Sequence, residues 1–188
     1  ISLPWGNDNI GALTILQSNQ ETALFGSSVS SAGDINNDGF DDIVVGASFY
    51  DDEQDSEGAA FIFLGSSSGI ISSDPTNPDP FTGIKADSML QSNNVSARFG
   101  HSVSSAGDIN GDGYDDVLVG APFYSDGEAF EGAVFIFQGS ATGITSSENN
   151  DTDPVTGIKA TTILQPNQTS SLFGASVSRA GDINNDGY

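Results

Sequence analysis

Residues 25–47 read FGSSVSSAGDINNDGFDDIVVGA, and residues 99–121 read FGHSVSSAGDINGDGYDDVLVGA. The two segments are identical at 18 of their 23 positions. A third copy opens at Phe173-Gly174, which sets the period at 74 residues (99 − 25 and 173 − 99). Self-similarity at a long fixed period is typical of proteins that stack copies of one structural unit. We therefore expect this chain to be an array of repeats.

The period divides the chain into four parts. We expect residues 1–24 to supply one or more outer strands of a preceding repeat. Residues 25–98 and 99–172 should form two whole repeats, and residues 173–188 should begin a third. The third copy stops inside a motif that the earlier copies complete, so we expect the chain to be a fragment of a longer array.

Short apolar runs between clusters of Gly, Asn, Asp and Pro predict strands rather than helices. In the second repeat they predict four strands, at 99–106, 117–119, 133–137 and 161–164. The second and third runs are apolar at consecutive positions, so both of their faces need cover. A four-stranded sheet stacked between like sheets gives that cover, which favours an all-β fold of antiparallel propeller blades. A β-sandwich and a β-solenoid are the alternatives.

Each whole repeat contains a loop of the pattern D-x-N-x-D-G-x-D-D, at 34–42 and at 108–116. Oxygen side chains at positions 1, 3 and 5, a carbonyl at position 7 and a closing acid at position 9 are ligands that calcium prefers. Glycine at position 6 permits a sharp turn with a positive φ. The sequence therefore predicts two calcium sites. Their candidate ligands are Asp34, Asn36, Asp38, the Phe40 carbonyl and Asp42 in the first loop, and Asp108, Asn110, Asp112, the Tyr114 carbonyl and Asp116 in the second.

The third copy contains only the opening of this loop. Its candidate ligands are Asp182, Asn184, Asp186 and Tyr188, and the chain ends before a closing acid. Because the closing acid completes the ligand set, we expect this third site to bind calcium poorly.

Other interpretations of the two whole loops are less favourable. Magnesium demands stricter octahedral geometry, and zinc is disfavoured because the chain has no Cys and a single His, His101. An EF-hand needs Glu at position 12, where the repeats have Val45 and Val119. A surface turn that binds no metal is the plain alternative. The position-8 acids, Asp41 and Asp115, are expected to face outward or to support the ligands.

The composition limits the class of partner. The chain has 26 acidic and 4 basic residues and a net charge of −22, which opposes binding to nucleic acids and anionic membranes. The absence of Cys means that disulfides do not stabilise it. The acidic run 51–57 is expected to be a solvated loop. No nucleophile–His–acid set and no phosphate-binding glycine loop stands out, so we expect the chain not to be an enzyme.

In this order, the motifs resemble the FG-GAP repeats of integrin α chains and their bacterial relatives. Phe-Gly opens each copy, the acidic loop follows, and Gly-Ala-Pro ends the second strand at Gly120-Ala121-Pro122. The first copy departs from the pattern with Ser48 in place of that Pro. The resemblance implies a seven-bladed β-propeller with calcium loops in some blades, the ligands named above, and a role in cell adhesion. About two and a half repeats cannot close such a ring.

Three functions fit these observations. The first is a calcium-stabilised, non-catalytic repeat module of a secreted or cell-surface protein that mediates adhesion. Its partners would be an extracellular protein or glycan and the neighbouring repeats of the same chain. The second is an accessory domain of an extracellular enzyme whose catalytic part lies elsewhere. The third is a carbohydrate-binding surface on which Trp5, Tyr50 and Tyr124 stack against sugar rings.

Overall fold

The computed structural model describes residues 16, 18, 20–51, 55–70, 86–144 and 160–181. In this part of the chain the backbone forms eight β-strands and no helix, so no helix that could cross a membrane occurs there. The strands are, in chain order, β1 (Phe25–Gly33), β2 (Asp42–Ala47), β3 (Ala59–Phe63), β4 (Ser88–Gln91), β5 (Ser102–Gly107), β6 (Asp116–Ala121), β7 (Ala133–Phe137) and β8 (Thr162–Leu164).

The strands form two antiparallel sheets in which each strand pairs with the next one along the chain. The first sheet has the order β1-β2-β3-β4, and the second has the order β5-β6-β7-β8. The register repeats too, because Val45 opposes Phe61 in the first sheet and Val119 opposes Phe135 in the second. The predicted all-β fold is confirmed, and the two sheets are blades of a partial β-propeller.

Strand β2 has apolar side chains on both faces, and both faces are covered. Val44 belongs to a core cluster that includes Val103 and Phe135 of the second sheet. Val45 points the other way, into a cluster with Phe61 of its own sheet. Packing of one sheet on the next therefore buries the face that a single sheet leaves open, as the consecutive apolar positions predict.

The opening of the second repeat differs from the prediction. β5 begins at Ser102, whereas we expected a strand from Phe99. The Phe99 amide instead donates to the Glu57 carbonyl of the first repeat at 2.8 Å, and a parallel bridge joins Phe99 to Gly58. A Cβ on Gly58 would lie 2.2 Å from the Phe99 carbonyl oxygen, so only glycine permits this approach. The Phe-Gly segment thus fastens the two repeats together before its own sheet begins.

Two side chains between the second and third strands depart from the predictions. The run 51–57 is predicted to be solvated, and Asp51 and Asp55 are indeed exposed, but Glu57 at its end is 0% exposed, and so is its counterpart Glu131. Tyr124, expected as an exposed ring, is 4% exposed and meets Phe135 edge-on at 5.2 Å between ring centroids. The cause is shared, because the end of this segment is held against the opening of the next repeat.

An arginine side chain joins the two repeats at their surface. The Arg98 guanidinium carbon lies 4.5 Å from the ring centroid of Phe49 and 4.5 Å from that of Phe123. The two rings occupy the same position in consecutive repeats, so the cation is stacked between equivalent points of both. The corresponding positions in the other copies are occupied by Leu24 and Leu172.

We expect Arg98→Met to lower the free energy of unfolding by about 1 kcal/mol, because it keeps an apolar stem but removes the cation between two rings. Urea denaturation measures the change. The control is His101→Ser, which alters an exposed residue whose counterpart in the first repeat is already Ser27. Equal stability of the two variants would show that the stacked cation contributes nothing.

Candidate metal centre

The first acidic loop is organised by its own side chains. Asp34 accepts hydrogen bonds from two loop amides, that of Asp38 at Oδ1 (3.0 Å) and that of Gly39 at Oδ2 (2.9 Å). Asn36 Oδ1 also accepts from the Asp38 amide, and Asp38 Oδ1 accepts from the Phe40 amide, each at 3.0 Å. Short polar side chains at positions 1, 3 and 5 therefore satisfy the backbone donors that a tight turn would leave without partners.

The second loop repeats this network. Asp108 accepts from the amides of Asp112 (3.1 Å) and Gly113 (2.8 Å), and Asp112 Oδ1 accepts from the Tyr114 amide at 3.0 Å. At position 6, Gly113 has a φ of +92°, close to the +90° of Gly39 in the first loop. Both values lie in the region that favours glycine, as the pattern predicts. The same sequence thus builds the same turn twice.

The acid at position 9 ties each loop to the sheet below it. Asp42 is 0% exposed, and its Oδ2 accepts from the Ile35 amide at 2.9 Å while its Oδ1 accepts from the Gly65 amide at 2.7 Å. Gly65 follows β3, so one carboxylate holds the start of the loop and the end of a strand. Asp116 does the same in the second repeat, accepting from Ile109 (3.0 Å) and Gly139 (2.9 Å).

Burial disfavours the ionised form of the Asp42 and Asp116 carboxylates. It raises the pKa of Asp42 above its ordinary value of 3.8, although the hydrogen bonds from Gly65 and Ile35 lower it. The charges of Asp38 and Asp34 raise the pKa further, which places all three acids within electrostatic reach of one another. The pKa of Asp116 is raised for the same reasons, with burial first. A cation in either loop would relieve this repulsion.

The donor chemistry of the loops fits a hard cation. A carboxylate oxygen has two lone pairs, and the hydrogen bonds from the loop amides leave lone pairs free on the oxygens of Asp34, Asp38 and Asp42. Across the described ranges, however, no three His, Cys, Asp or Glu side chains converge closely enough to hold a metal ion. The fit therefore depends on ligand type, on the Asn oxygens and backbone carbonyls of the loops, and on the clustered charge.

Some candidate residues cannot be placed. The third loop, with Asp182, Asn184, Asp186 and Tyr188, lies outside the described residues, and so does Trp5. The assignment of these residues therefore stays a prediction.

Sequence reasoning missed one contributor to the first loop. Asp115 was expected to face outward or to support its own loop, and Asp41 at the same position of the first loop is exposed. Asp115 is instead half-buried, and its Oδ2 accepts from the Asp34 amide of the preceding repeat at 3.0 Å. The only sequence signal was that both repeats have an acid at position 8.

We expect Asp42→Asn to lower the free energy of unfolding by about 1–3 kcal/mol with a chelator present, because the two amides bind different oxygens of Asp42 and an asparagine would present an NH2 group to one of them. Asp38→Asn is the matched control. It is exposed and an asparagine keeps its contact to the Phe40 amide, so a loss below about 0.5 kcal/mol is expected. Urea denaturation compares them, and losses of equal size would contradict a role for Asp42 in holding the loop.

Comparison with known proteins places these loops in a family. The model of the FG-GAP repeat matches residues 25–63 and 99–137, each of which contains one whole acidic loop. Integrin alpha-5 of Xenopus laevis is 31% identical over 208 aligned residues, which cover 100% of this chain and 17% of that protein. Integrin alpha-3 of Mus musculus is 35% identical over 131 residues, covering 69% of this chain and 11% of that protein.

A third relative matches a shorter part of the chain at higher sequence identity. Integrin alpha-PS5 of Drosophila melanogaster is 40% identical over 100 residues, or 53% of this chain and 9% of that protein. The chain thus spans less than a fifth of the length of each of these relatives. With the two matched segments lying on two equivalent blades, the chain is an FG-GAP repeat protein related to the integrin α chains.

Proposed function

We propose that this chain is a calcium-binding, non-catalytic repeat module of a secreted or cell-surface protein and that it serves adhesion. The observation that carries the proposal is the repetition of one site. In both repeats a buried acid of raised pKa lies beneath a turn lined with carboxylate and amide oxygens. The amides of Ile35 and Gly65 account for one buried carboxylate, but they do not account for two further acids placed close enough to raise its pKa, which a bound cation would favour.

Calcium would be held by the oxygens at positions 1, 3, 5, 7 and 9 of each loop. These are Asp34, Asn36, Asp38, the Phe40 carbonyl and Asp42, with Asp108, Asn110, Asp112, the Tyr114 carbonyl and Asp116 as their counterparts. The ion would supply positive charge where three acids repel one another. Calcium suits the loop better than magnesium, because it accepts more ligands and looser geometry.

The expected effect on stability is moderate. Extracellular calcium modules bind with dissociation constants of about 0.1–1 mM. With about 1 mM calcium and a constant of about 0.1 mM, each site adds roughly 1.4 kcal/mol to the free energy of unfolding. Because domains are stable by only about 5–15 kcal/mol, two such sites are a substantial share.

The adhesive role is inferred from the relatives and from the surface. The similar proteins are integrin α chains, and the fold leaves sheet edges and loops for contact with other molecules. The partners we propose are an extracellular protein or glycan and the neighbouring repeats of the same chain. Recognition of sugar rings by Tyr124 is not proposed again, since that side chain is 4% exposed.

We expect millimolar CaCl2 to raise the melting temperature by several degrees over the value in chelator, as two bound ions add to the free energy of unfolding. Differential scanning calorimetry gives the midpoint. MgCl2 at the same concentration should raise it less, and the double variant Asp38→Ala with Asp112→Ala should lose most of the calcium effect. An unchanged midpoint in a folded sample would reject calcium binding.

We expect cells to attach to a surface coated with the chain in about 1 mM CaCl2. A coating of the Asp38→Ala, Asp112→Ala double variant should hold fewer cells in the same buffer, because the loops would lose their metal. Keeping calcium constant and changing the coating avoids loss of calcium-dependent receptors on the cells. Equal attachment to both coatings, or to bare blocked plastic, would argue against adhesion through these repeats.

A further inference from the structure

Asp115 and Asp34 form a reciprocal pair across the two repeats. Asp115 Oδ2 accepts from the Asp34 amide at 3.0 Å, and the Asp115 amide donates to the Asp34 carbonyl at 3.1 Å. Asp34 is the first candidate ligand of the first loop, whereas Asp115 belongs to the second loop. Both backbone polar groups of Asp34 are therefore satisfied by a residue 81 positions away.

The residues on either side of Asp34 also pack closely against the second repeat. A Cβ on Gly33, which has a φ of +79°, would lie 1.9 Å from Asp115 Oδ2, so a side chain there would displace the carboxylate. The Ser140 amide of the second repeat donates to the Ile35 carbonyl at 3.0 Å, next to the pair. Ile35 is 0% exposed, but its counterpart Ile109 in the second loop is 48% exposed. The first loop is thus seated on the second repeat.

We propose that Asp115 is a positioning residue for the metal site of the first loop, so that calcium binding there is coupled to packing of the second repeat. This inference rests on the proposed calcium binding. Hydrogen bonds to both the amide and the carbonyl of Asp34 fix the backbone position from which its carboxylate extends. A ligand that is already positioned loses less conformational entropy when the ion binds. By reciprocity, calcium in the first loop strengthens the contact between the repeats.

Asp41 is the matched control that the chain itself offers. It occupies position 8 of the first loop, is exposed, and carries the same charge as Asp115. Removing Asp41 takes one negative charge from the first loop itself, whereas removing Asp115 takes one from the neighbouring repeat. If the summed charge alone governed affinity, loss of Asp41 would weaken calcium binding at least as much as loss of Asp115.

The experiment is a CaCl2 titration by isothermal calorimetry of the whole chain, in a background where Asp112→Ala disables the second loop. We expect Asp115→Ala to weaken calcium binding by about three- to tenfold, the effect of one lost hydrogen bond. Asp115→Asn keeps an oxygen that can accept from the Asp34 amide, so it should stay within about twofold of the background, as should Asp41→Ala. Hydrogen exchange of the Asp34 amide should speed up in Asp115→Ala and be restored in Asp115→Asn.

The outcomes separate this inference from the proposed function. If the background binds calcium and Asp115→Ala matches Asp41→Ala in affinity and in exchange, the positioning role is rejected while calcium binding stands. If the background and the unaltered chain both fail to bind calcium, the proposed function falls and this inference falls with it. Far-UV circular dichroism shows that each variant is folded before its affinity is compared.

Discussion

A strand that is apolar on both faces needs a neighbour on each side, and this constraint organises the molecule. β2 has Val44 and Val45 at consecutive positions, so one sheet alone would leave one of them in water. Docking the second sheet covers Val44 with Val103 and Phe135. The contacts between repeats follow from this need, including the fastening of Phe99 to the first repeat.

The acidic loops lie at the edge where this docking brings two repeats together. Ile35, inside the first loop, is fully buried because the second repeat covers it, and its carbonyl accepts from the Ser140 amide. The buried Asp42 in turn accepts from the Ile35 amide. Loop, sheet and neighbouring repeat are therefore joined through a few consecutive residues. A site of this kind belongs to a pair of repeats rather than to one.

Features set within one repeat could be predicted from the sequence. The sharp turn at Gly39 is predicted by the glycine itself, and the four strands of each repeat are predicted by the spacing of apolar runs. Neither prediction requires knowledge of the adjacent repeat. Features that depend on contacts between repeats could not be predicted from the sequence. From the sequence, Glu57 is predicted to be part of a solvated acidic run, Phe99 to start a strand, and Asp115 to face outward or to support its own loop, because their partners lie in another copy. Periodicity shows that copies exist, but not which residues meet.

The choice of an acid at position 9 links the fold to the proposed metal. A neutral amide there could accept only one of the two buried N–H groups that Asp42 accepts, so satisfying both amides calls for a carboxylate. Burial and the charges of Asp34 and Asp38 disfavour that carboxylate in its ionised form and raise its pKa. Hydrogen bonds offset part of this cost, and a divalent cation among the three acids would offset more. In the proposed site, the same residue that closes the loop onto the sheet would thus favour a cation in the loop, and Asp116 would do so in the second repeat.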